Sequence, residues 1–243
     1  MRIILLATAA LLTLSTYAAD AFRIEKDITY LAPGRKEKAD LYLPANNPSG
    51  ALRPAVVIIH GGGWTGGDKG AAREINIGTN LALNGYVGLS INYVLASANK
   101  DGKAIWPQNL HDCKTAVRWL RKNAGRLQVD PERIGVIGGS AGGHLAAMLG
   151  KSSAQAPELY RAASPVTYVD RDDPPLLILH GTADNTVPVD QSRLFAAKLK
   201  EVGARHELVI VEGAPHTFHL QPKQADLRPK VLGFFDRHLK STR

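Results

Sequence analysis

The sequence predicts an α/β fold with a mostly parallel central sheet flanked by helices on both faces. The first observation behind this prediction is the run Ala55-Val56-Val57-Ile58-Ile59, which is continuous and β-branched like a strand buried on both faces of a parallel sheet. The second is the alternation of strand and helix patterns that continues from there to the carboxyl end. The length of 243 residues, 44% of them hydrophobic, suits one domain with one sizeable core.

Two strand patterns come before the alternating units and indicate an edge hairpin. They cover residues 23–31 and 39–43 and are joined by the turn-like Pro33-Gly34-Arg35-Lys36. Further strands are predicted at 55–59, 86–93, 133–138, 176–180 and 207–211, and helices at 71–84, 107–123, 190–202 and 225–240, with another directly after Ser140. Ligands of such sheets bind beyond the carboxyl ends of the strands.

The amino terminus has the pattern of a secretory signal peptide. A positive start, Met1-Arg2, precedes an apolar stretch at 3–14 and an Ala-x-Ala cleavage site at 19–21, with residues 16–18 as a weaker alternative site. The apolar stretch is short for a membrane span. We therefore expect residues 1–21 to be removed, residues 22–243 to form the domain, and the product to be exported to the periplasm or the medium without stable membrane insertion.

Charge and cysteine content exclude several classes of protein. The net charge is +8, but the 30 basic residues are dispersed, so positive charge for solubility is favoured over nucleic-acid binding. Cys113 is the single cysteine of the sequence, so no intramolecular disulfide can form, and its helical, apolar setting suggests an inert buried thiol. No metal-ligand spacing is present, and we expect neither a metal nor a cofactor.

The turn Gly138-Gly139-Ser140-Ala141-Gly142 follows a predicted strand and precedes a helical run. It fits G-x-S-x-G, the nucleophile elbow, in which small neighbours allow a sharp turn that exposes the central side chain. Ser140 is therefore the candidate nucleophile. The alternative is that Ser140 merely caps the helix.

An activated serine needs a base and an acid that orients the base. Asp184 follows the strand at 176–180, and His216 follows the strand at 207–211. The competing acids are Asp172, Asp173 and Asp190, and the competing base is His219. Position at a strand exit favours Asp184, and the G-x-x-H-x-F pattern favours His216. The chain order Ser140, Asp184, His216 is the order found with nucleophile elbows.

A glycine-rich loop, His60-Gly61-Gly62-Gly63-Trp64, follows the first buried strand. It also satisfies the dinucleotide pattern G-x-G-x-x-G, but the next strand ends in Asn92-Tyr93 instead of an acidic residue. Cofactor binding is therefore not expected. We interpret His60 as structural support for the loop and Trp64 as a candidate substrate contact. His144, one turn after Ser140, is interpreted as packing or a polar group at the edge of the site.

Taken together, these motifs resemble the alpha/beta-hydrolase fold, and within it the esterase and lipase group with an HGGG loop. The loop, the following Gly67-Asp68-Lys69, the elbow and the closing stretches at 215–220 and 234–239 are similar to the bifunctional feruloyl and acetyl-xylan esterase family. The resemblance implies that Ser140 attacks an ester carbonyl, that His216 accepts its proton and that Asp184 orients His216. It also implies an oxyanion hole made by backbone N–H groups of Gly62, Gly63 and Ala141.

The chain departs from this family between Ser140 and Asp184. The family normally has a further strand and a cap-like excursion there, whereas this sequence has only residues 151–175 and no continuous apolar run. One sheet strand and the cap are thus expected to be missing. Either the strand at 176–180 pairs directly with the strand of the elbow, or residues 166–169 fill the gap. An open site would suit a bulky or polymeric substrate.

The sequence therefore predicts an exported serine esterase, acting on acetyl or feruloyl esters of plant polysaccharide. A serine peptidase of the same fold is the enzymatic alternative. A binding or envelope protein with an impaired triad is the non-enzymatic one.

Overall fold

The computed structural model describes residues 21–45, 50–96, 105–149 and 164–240. The predicted signal peptide lies outside this range except for Ala21. Residues 150–163, which include much of the segment expected to be shortened, also lie outside it.

The elements follow the predicted order closely. The strands are β1 (Phe22–Ile28), β2 (Ala39–Pro44), β3 (Arg53–Ile59), β4 (Val87–Ile91), β5 (Val129–Gly138), β6 (Leu176–Gly181) and β7 (His206–Val211). The helices are α1 (Ala72–Leu83), α2 (Gln108–Lys122), the short α3 (Ala124–Leu127), α4 (Ala141–Leu149), α5 (Asp190–Glu201) and α6 (Arg228–Phe235), with a 3-10 turn at Pro165–Tyr168 and a final π-helical turn at Asp236–Lys240.

Five strands form one mixed sheet in the order β1-β2-β4-β3-β5. β1 pairs antiparallel with β2, as the hairpin pattern predicts, and β2 pairs antiparallel with β4. β3 is parallel to both β4 and β5, and Ile59 is opposite Gly138. The loops that follow β3 and β5 therefore leave the sheet side by side, which brings the glycine-rich loop next to Ser140.

Successive side chains of β3 point to opposite faces of this sheet. Because most of these side chains are apolar, both faces are covered by helices. Val57 and Ile59 pack with α2 and α4 in one apolar cluster, whereas Val56 and Ile58 pack with α1 and α6 in another. Cys113 is fully buried in the first cluster, and burial raises the pKa of its thiol, in agreement with an inert role. Among the described residues, no helix is both long and apolar enough to span a bilayer.

β6 and β7 form a separate parallel pair, with Gly181 opposite Val211. Both arrangements expected for this region are wrong. Within the described part of the chain, β6 shares no ladder with β5, and the segment at 166–169 falls largely in the 3-10 turn and adds no strand. Pro165, which begins this turn, provides one reason, because proline favours a helical first turn and has no N–H for a ladder.

The last helix also begins later than predicted, at Arg228 instead of Ala225. The N–H of Leu227 donates to the carbonyl of Leu220 at 2.8 Å, so the residues before Arg228 close a loop instead of extending the helix.

Candidate active site

Ser140 occupies the turn between β5 and α4 in the left-handed backbone region, with φ = 53°. Such a φ is uncommon for a residue other than glycine and costs on the order of 1–3 kcal/mol, so it persists only where the surroundings fix it. A side chain at Gly138 would collide with the backbone of Gly142, and one at Gly142 would collide with the carbonyl of Ile59. Glycine at these two positions thus lets the elbow close tightly against β3.

The side chains of Ser140, His216 and Asp184 form one hydrogen-bonded series. His216 Nε2 lies 2.9 Å from Ser140 Oγ, and His216 Nδ1 lies 2.7 Å from Asp184 Oδ2. Because an ionised carboxylate can only accept, Nδ1 of His216 carries the proton and donates. In a neutral imidazole, Nε2 is then left to accept from the hydroxyl of Ser140, which is the arrangement that general-base catalysis requires.

Asp184 is held by several donors besides His216. Its Oδ1 accepts the backbone N–H groups of Thr186 and Val187, both at 2.8 Å. Burial by itself would raise the pKa of Asp184, but these N–H groups and His216 outweigh it and lower the pKa to about 2. Asp184 is therefore a carboxylate at neutral pH, and the N–H groups of its own loop fix the orientation of this carboxylate.

His180 is a second histidine beside Asp184 and was not singled out from the sequence as an orienting residue. Its Nε2 lies 2.9 Å from the carbonyl of Val187 and 3.2 Å from Asp184 Oδ2, while its Nδ1 lies 2.6 Å from Ser192 Oγ. With the proton on Nε2, His180 donates toward the loop that carries Asp184. The signal available in the sequence is a histidine next to the end of the otherwise apolar strand Leu176–Gly181.

The competing sequence candidates lie elsewhere. Asp173 caps its own loop by accepting the N–H of Asp170 at 3.1 Å, and Asp190 pairs with Arg193 at 2.9 Å on the surface. Asp172 is exposed. His219 is also exposed, and its Nδ1 accepts the N–H of Gln221 at 3.0 Å. The structure thus brings Asp184 and His216 to Ser140 and leaves these four residues away from it.

The glycine-rich loop lies directly against the elbow. A Cβ at Gly61 would be 3.0 Å from the carbonyl oxygen of Gly139 and 3.2 Å from Ser140 Cβ. Gly62 and Gly63 have φ values of 109° and 59°, which glycine adopts without strain. Within the described residues, the amide N–H groups of Gly62, Gly63 and Ala141 donate to no protein acceptor. Their part in an oxyanion hole stays a prediction.

His60 packs beneath this loop. Its ring is 2% exposed, stacks on Tyr93 with centroids 4.4 Å apart, and places Nδ1 2.6 Å from the carbonyl of Gly61. Burial lowers the pKa of His60, and the carbonyl of Gly61 only partly offsets this effect. A neutral, buried ring of this kind matches the predicted supporting role.

Two tryptophans pack against His144, one turn after Ser140. Trp64 is 38% exposed, has φ = 61° and meets the ring of His144 edge-on at 5.4 Å. The ring of Trp106 also packs against His144, with centroids 5.9 Å apart. His144 is therefore a packing residue of an aromatic wall, and Trp64 presents part of its ring to solvent.

No group of three or more potential metal ligands occurs among the described residues. The chemistry that the site can perform with its own side chains is nucleophilic attack by a serine, assisted by a histidine and a carboxylate.

Comparisons with known proteins agree with this architecture. The BD-FAE family model matches residues 39–156 and 147–199. The two matched segments overlap at residues 147–156, close to the place where a strand is expected to be missing. The esterase LipQ of Mycobacterium tuberculosis is 28% identical over 85% of this chain, and the esterase LipC of the same organism is 29% identical over 69%. The chain spans 59% and 53% of the lengths of these two relatives.

Solved structures show the same fold. A truncated carbohydrate esterase from gut microbiota superposes with a TM-score of 0.77 at 24% identity, covering 91% of this chain and 98% of that one. Butyrate-bound esterase 2 of Thermogutta terrifontis gives a TM-score of 0.73 at 28% identity, covering 89% of this chain and 94% of that one. The fold is thus that of an alpha/beta hydrolase, here with its described strands in two sheets.

Proposed function

The chain belongs to the BD-FAE family of alpha/beta-hydrolase esterases, and on this basis we propose that it is a serine carboxylic-ester hydrolase using Ser140, His216 and Asp184. The observation that carries the proposal is the pair of contacts of His216, 2.9 Å to Ser140 Oγ and 2.7 Å to Asp184 Oδ2. In this site a serine with left-handed backbone conformation points at a histidine, and a carboxylate fixes the tautomer of that histidine. A binding protein without a catalytic role would not require this arrangement.

In the proposed mechanism, Ser140 Oγ attacks the ester carbonyl while His216 Nε2 accepts its proton. The carbonyl oxygen becomes an oxyanion that accepts hydrogen bonds from the N–H groups of Gly62, Gly63 and Ala141, and each such donor is worth on the order of 10² to 10³ in rate. His216 then returns the proton to the leaving alcohol, and an acyl group remains on Ser140. Water, activated by the same histidine, releases the acid and restores the serine.

For the substrate, we propose acetyl or feruloyl esters carried by plant polysaccharide. Membership of the BD-FAE family supports this class. The partly exposed ring of Trp64 supports it too, because aromatic rings stack on sugars and on planar acyl groups. A marked preference for long acyl chains over acetyl esters would contradict it.

The test of the proposal compares the wild-type protein with Ser140→Ala and with the control Ser164→Ala. Ser164 precedes the 3-10 turn and has no part in the triad. Hydrolysis of a short-chain acetyl ester should vanish in Ser140→Ala and persist in Ser164→Ala.

Intact-mass spectrometry after treatment with paraoxon provides a readout independent of substrate choice, since the related Thermogutta terrifontis esterase 2 is phosphorylated by this compound. Wild type and Ser164→Ala should gain one diethylphosphoryl group, and Ser140→Ala none. A folded wild-type protein that neither hydrolyses the ester nor reacts would favour the binding-protein alternative.

Export is also a proposal, and it rests on residues 1–21. Amino-terminal sequencing of the protein from the periplasm or medium should begin at Phe22.

A further inference from the structure

The two halves of the candidate triad stand on separate sheets. Ser140 follows β5 of the five-stranded sheet, whereas Asp184 and His216 follow β6 and β7 of the two-stranded sheet. No ladder among the described strands joins the two sheets. The Ser140 to His216 distance is nevertheless 2.9 Å, so among the described residues the two loops are held in register by contacts other than ladder hydrogen bonds.

Arg73, in the first turn of α1, touches both loops. A Cβ at Gly139 would lie 2.7 Å from the Arg73 guanidinium carbon, so this group lies directly beside the elbow. Its Nε donates to the carbonyl of Phe218 at 3.3 Å, two residues after His216. The buried carboxylate of Glu74 accepts from Arg73 at 2.6 Å and fixes its direction.

Asn76, one turn further along α1, holds the same loop at its far end. Its Oδ1 accepts the N–H of Leu220 at 3.2 Å, and its Nδ2 donates to Gln221 Oε1 at 3.2 Å. The loop needs such support because Thr217, directly after His216, has φ = 51°. For a β-branched residue this is a strained conformation, which neighbouring contacts must maintain.

Apolar packing anchors the helix that carries these two residues. Ile77 and Leu81 of α1 lie in one buried cluster with Leu220 and with Val231 of α6. The helix is thus attached to the five-stranded sheet on one side and to the histidine loop on the other. Its polar residue Arg73 lies where the two catalytic loops meet, and Asn76 contacts the far end of the histidine loop.

We propose that Arg73 and Asn76 are positioning residues that set His216 against Ser140, in place of the sheet pairing that the described strands lack. The inference rests on the proposed esterase function. A displacement of about an ångström of the base from its nucleophile typically costs on the order of 10²-fold in rate.

The experiment compares Asn76→Ala, Asn76→Asp and the control Asn80→Ala in steady-state hydrolysis of a short-chain acetyl ester. Asn80 lies one turn along the same helix, and within the described residues its side chain donates to the carbonyl of Asn76 at 2.8 Å and not to the histidine loop. Asn76→Ala should lower kcat about 10²-fold with KM little changed, since the loop moves the base and not the substrate. Asn76→Asp keeps an acceptor for Leu220 and lets the Gln221 amide turn and donate, so it should restore most of kcat.

Folding and geometry are measured separately from activity. Urea denaturation gives the folded fraction, so that kcat refers to folded protein. The downfield proton resonance of His216 Nδ1, assigned by its disappearance in Asp184→Asn, reports the triad even in an inactive protein. It should shift or broaden in Asn76→Ala and stay unchanged in Asn80→Ala.

The outcomes separate the two proposals. If Asn76→Ala matches Asn80→Ala in kcat per folded molecule and in the His216 resonance, the positioning role is wrong. If wild type is unreactive toward ester and paraoxon but Asn76→Ala alone perturbs the resonance, the proposed function fails and the positioning role stands.

Discussion

Asp184→Asn is the substitution that tests the candidate site most sharply. Asparagine retains an oxygen for the N–H groups of Thr186 and Val187, which lie 2.8 Å from Asp184 Oδ1, so the loop should keep its shape. The amide N–H₂ then faces His216 Nδ1, at present 2.7 Å from Asp184 Oδ2, and donates to it. The proton moves to Nε2, where it points at Ser140 and removes the general base.

Two magnitudes follow from the structure. With the imidazole in the wrong tautomer, kcat should fall on the order of 10⁴-fold. The pKa of Asp184 falls from an ordinary 3.8 to about 2 on folding, which corresponds to about 2–3 kcal/mol of stability for the charged carboxylate. Because the folded pKa is the lower one, this contribution is complete above about pH 4 and is lost as the pH falls through about 2.

The assays are steady-state hydrolysis at pH 7 and urea denaturation at pH 7 and near pH 2. Asp184→Asn should unfold with about 2–3 kcal/mol less free energy than wild type at pH 7, and the difference should shrink at the acid end. Asp190→Asn is the control, since exposed Asp190 pairs with Arg193 at the surface and such pairs contribute little. Retention of more than a tenth of wild-type kcat in Asp184→Asn, or an equal loss in Asp190→Asn, would refute the reasoning.

Other predictions concern packing around the site. Gly142→Ala should lower the free energy of unfolding by about 3 kcal/mol and abolish activity, because its Cβ would collide with the carbonyl of Ile59. Gly125→Ala is the control: no atom lies within 4 Å of the added carbon, so the change should be neutral or stabilising by up to about 1 kcal/mol. Equal urea midpoints for the two variants would contradict the close packing of Gly142 against β3. Tyr86→Phe, which removes the hydrogen bond of 2.6 Å to Asp236, should cost about 1 kcal/mol in the same assay, and an unchanged midpoint would show that the link to the last turn is not stabilising.

The sequence was sufficient where chemistry is encoded over a few neighbouring residues. The elbow around Ser140 and the loop of Gly62 and Gly63 are visible because only glycine tolerates the backbone contacts that those turns need. The strand exit was sufficient to select Asp184, and the G-x-x-H-x-F pattern to select His216. The structure places His216 in contact with both Asp184 and Ser140. Their catalytic roles stay predictions until the variants are measured.

Long-range contacts were the part that the sequence could not supply. His180 beside Asp184 and Asn76 beside Leu220 depend on how separate elements pack, and the second contact joins residues 144 positions apart. A polar residue on a helix has many ordinary explanations, so no local pattern marks Asn76. Strand pairing is equally non-local. The sequence therefore shows that the segment between Ser140 and Asp184 is short, but it does not show that β6 fails to pair with β5 among the described strands.

That separation changes what holds the site together. Where a ladder joins two strands, hydrogen bonds between them fix the register of the loops at their ends. In the proposed arrangement, the register of β6 and β7 against β5 depends on side chains of α1 and on the carboxyl-terminal turn. Arg133 of β5 donates to the carbonyl of Leu239 in this turn at 3.2 Å, and Arg237 of the same turn pairs with Glu207 of β7. Side-chain contacts are individually weaker and more easily altered than a ladder. It follows that substitutions far from Ser140 in sequence, on α1 and α6, should affect catalysis in this chain before they affect the stability of either sheet.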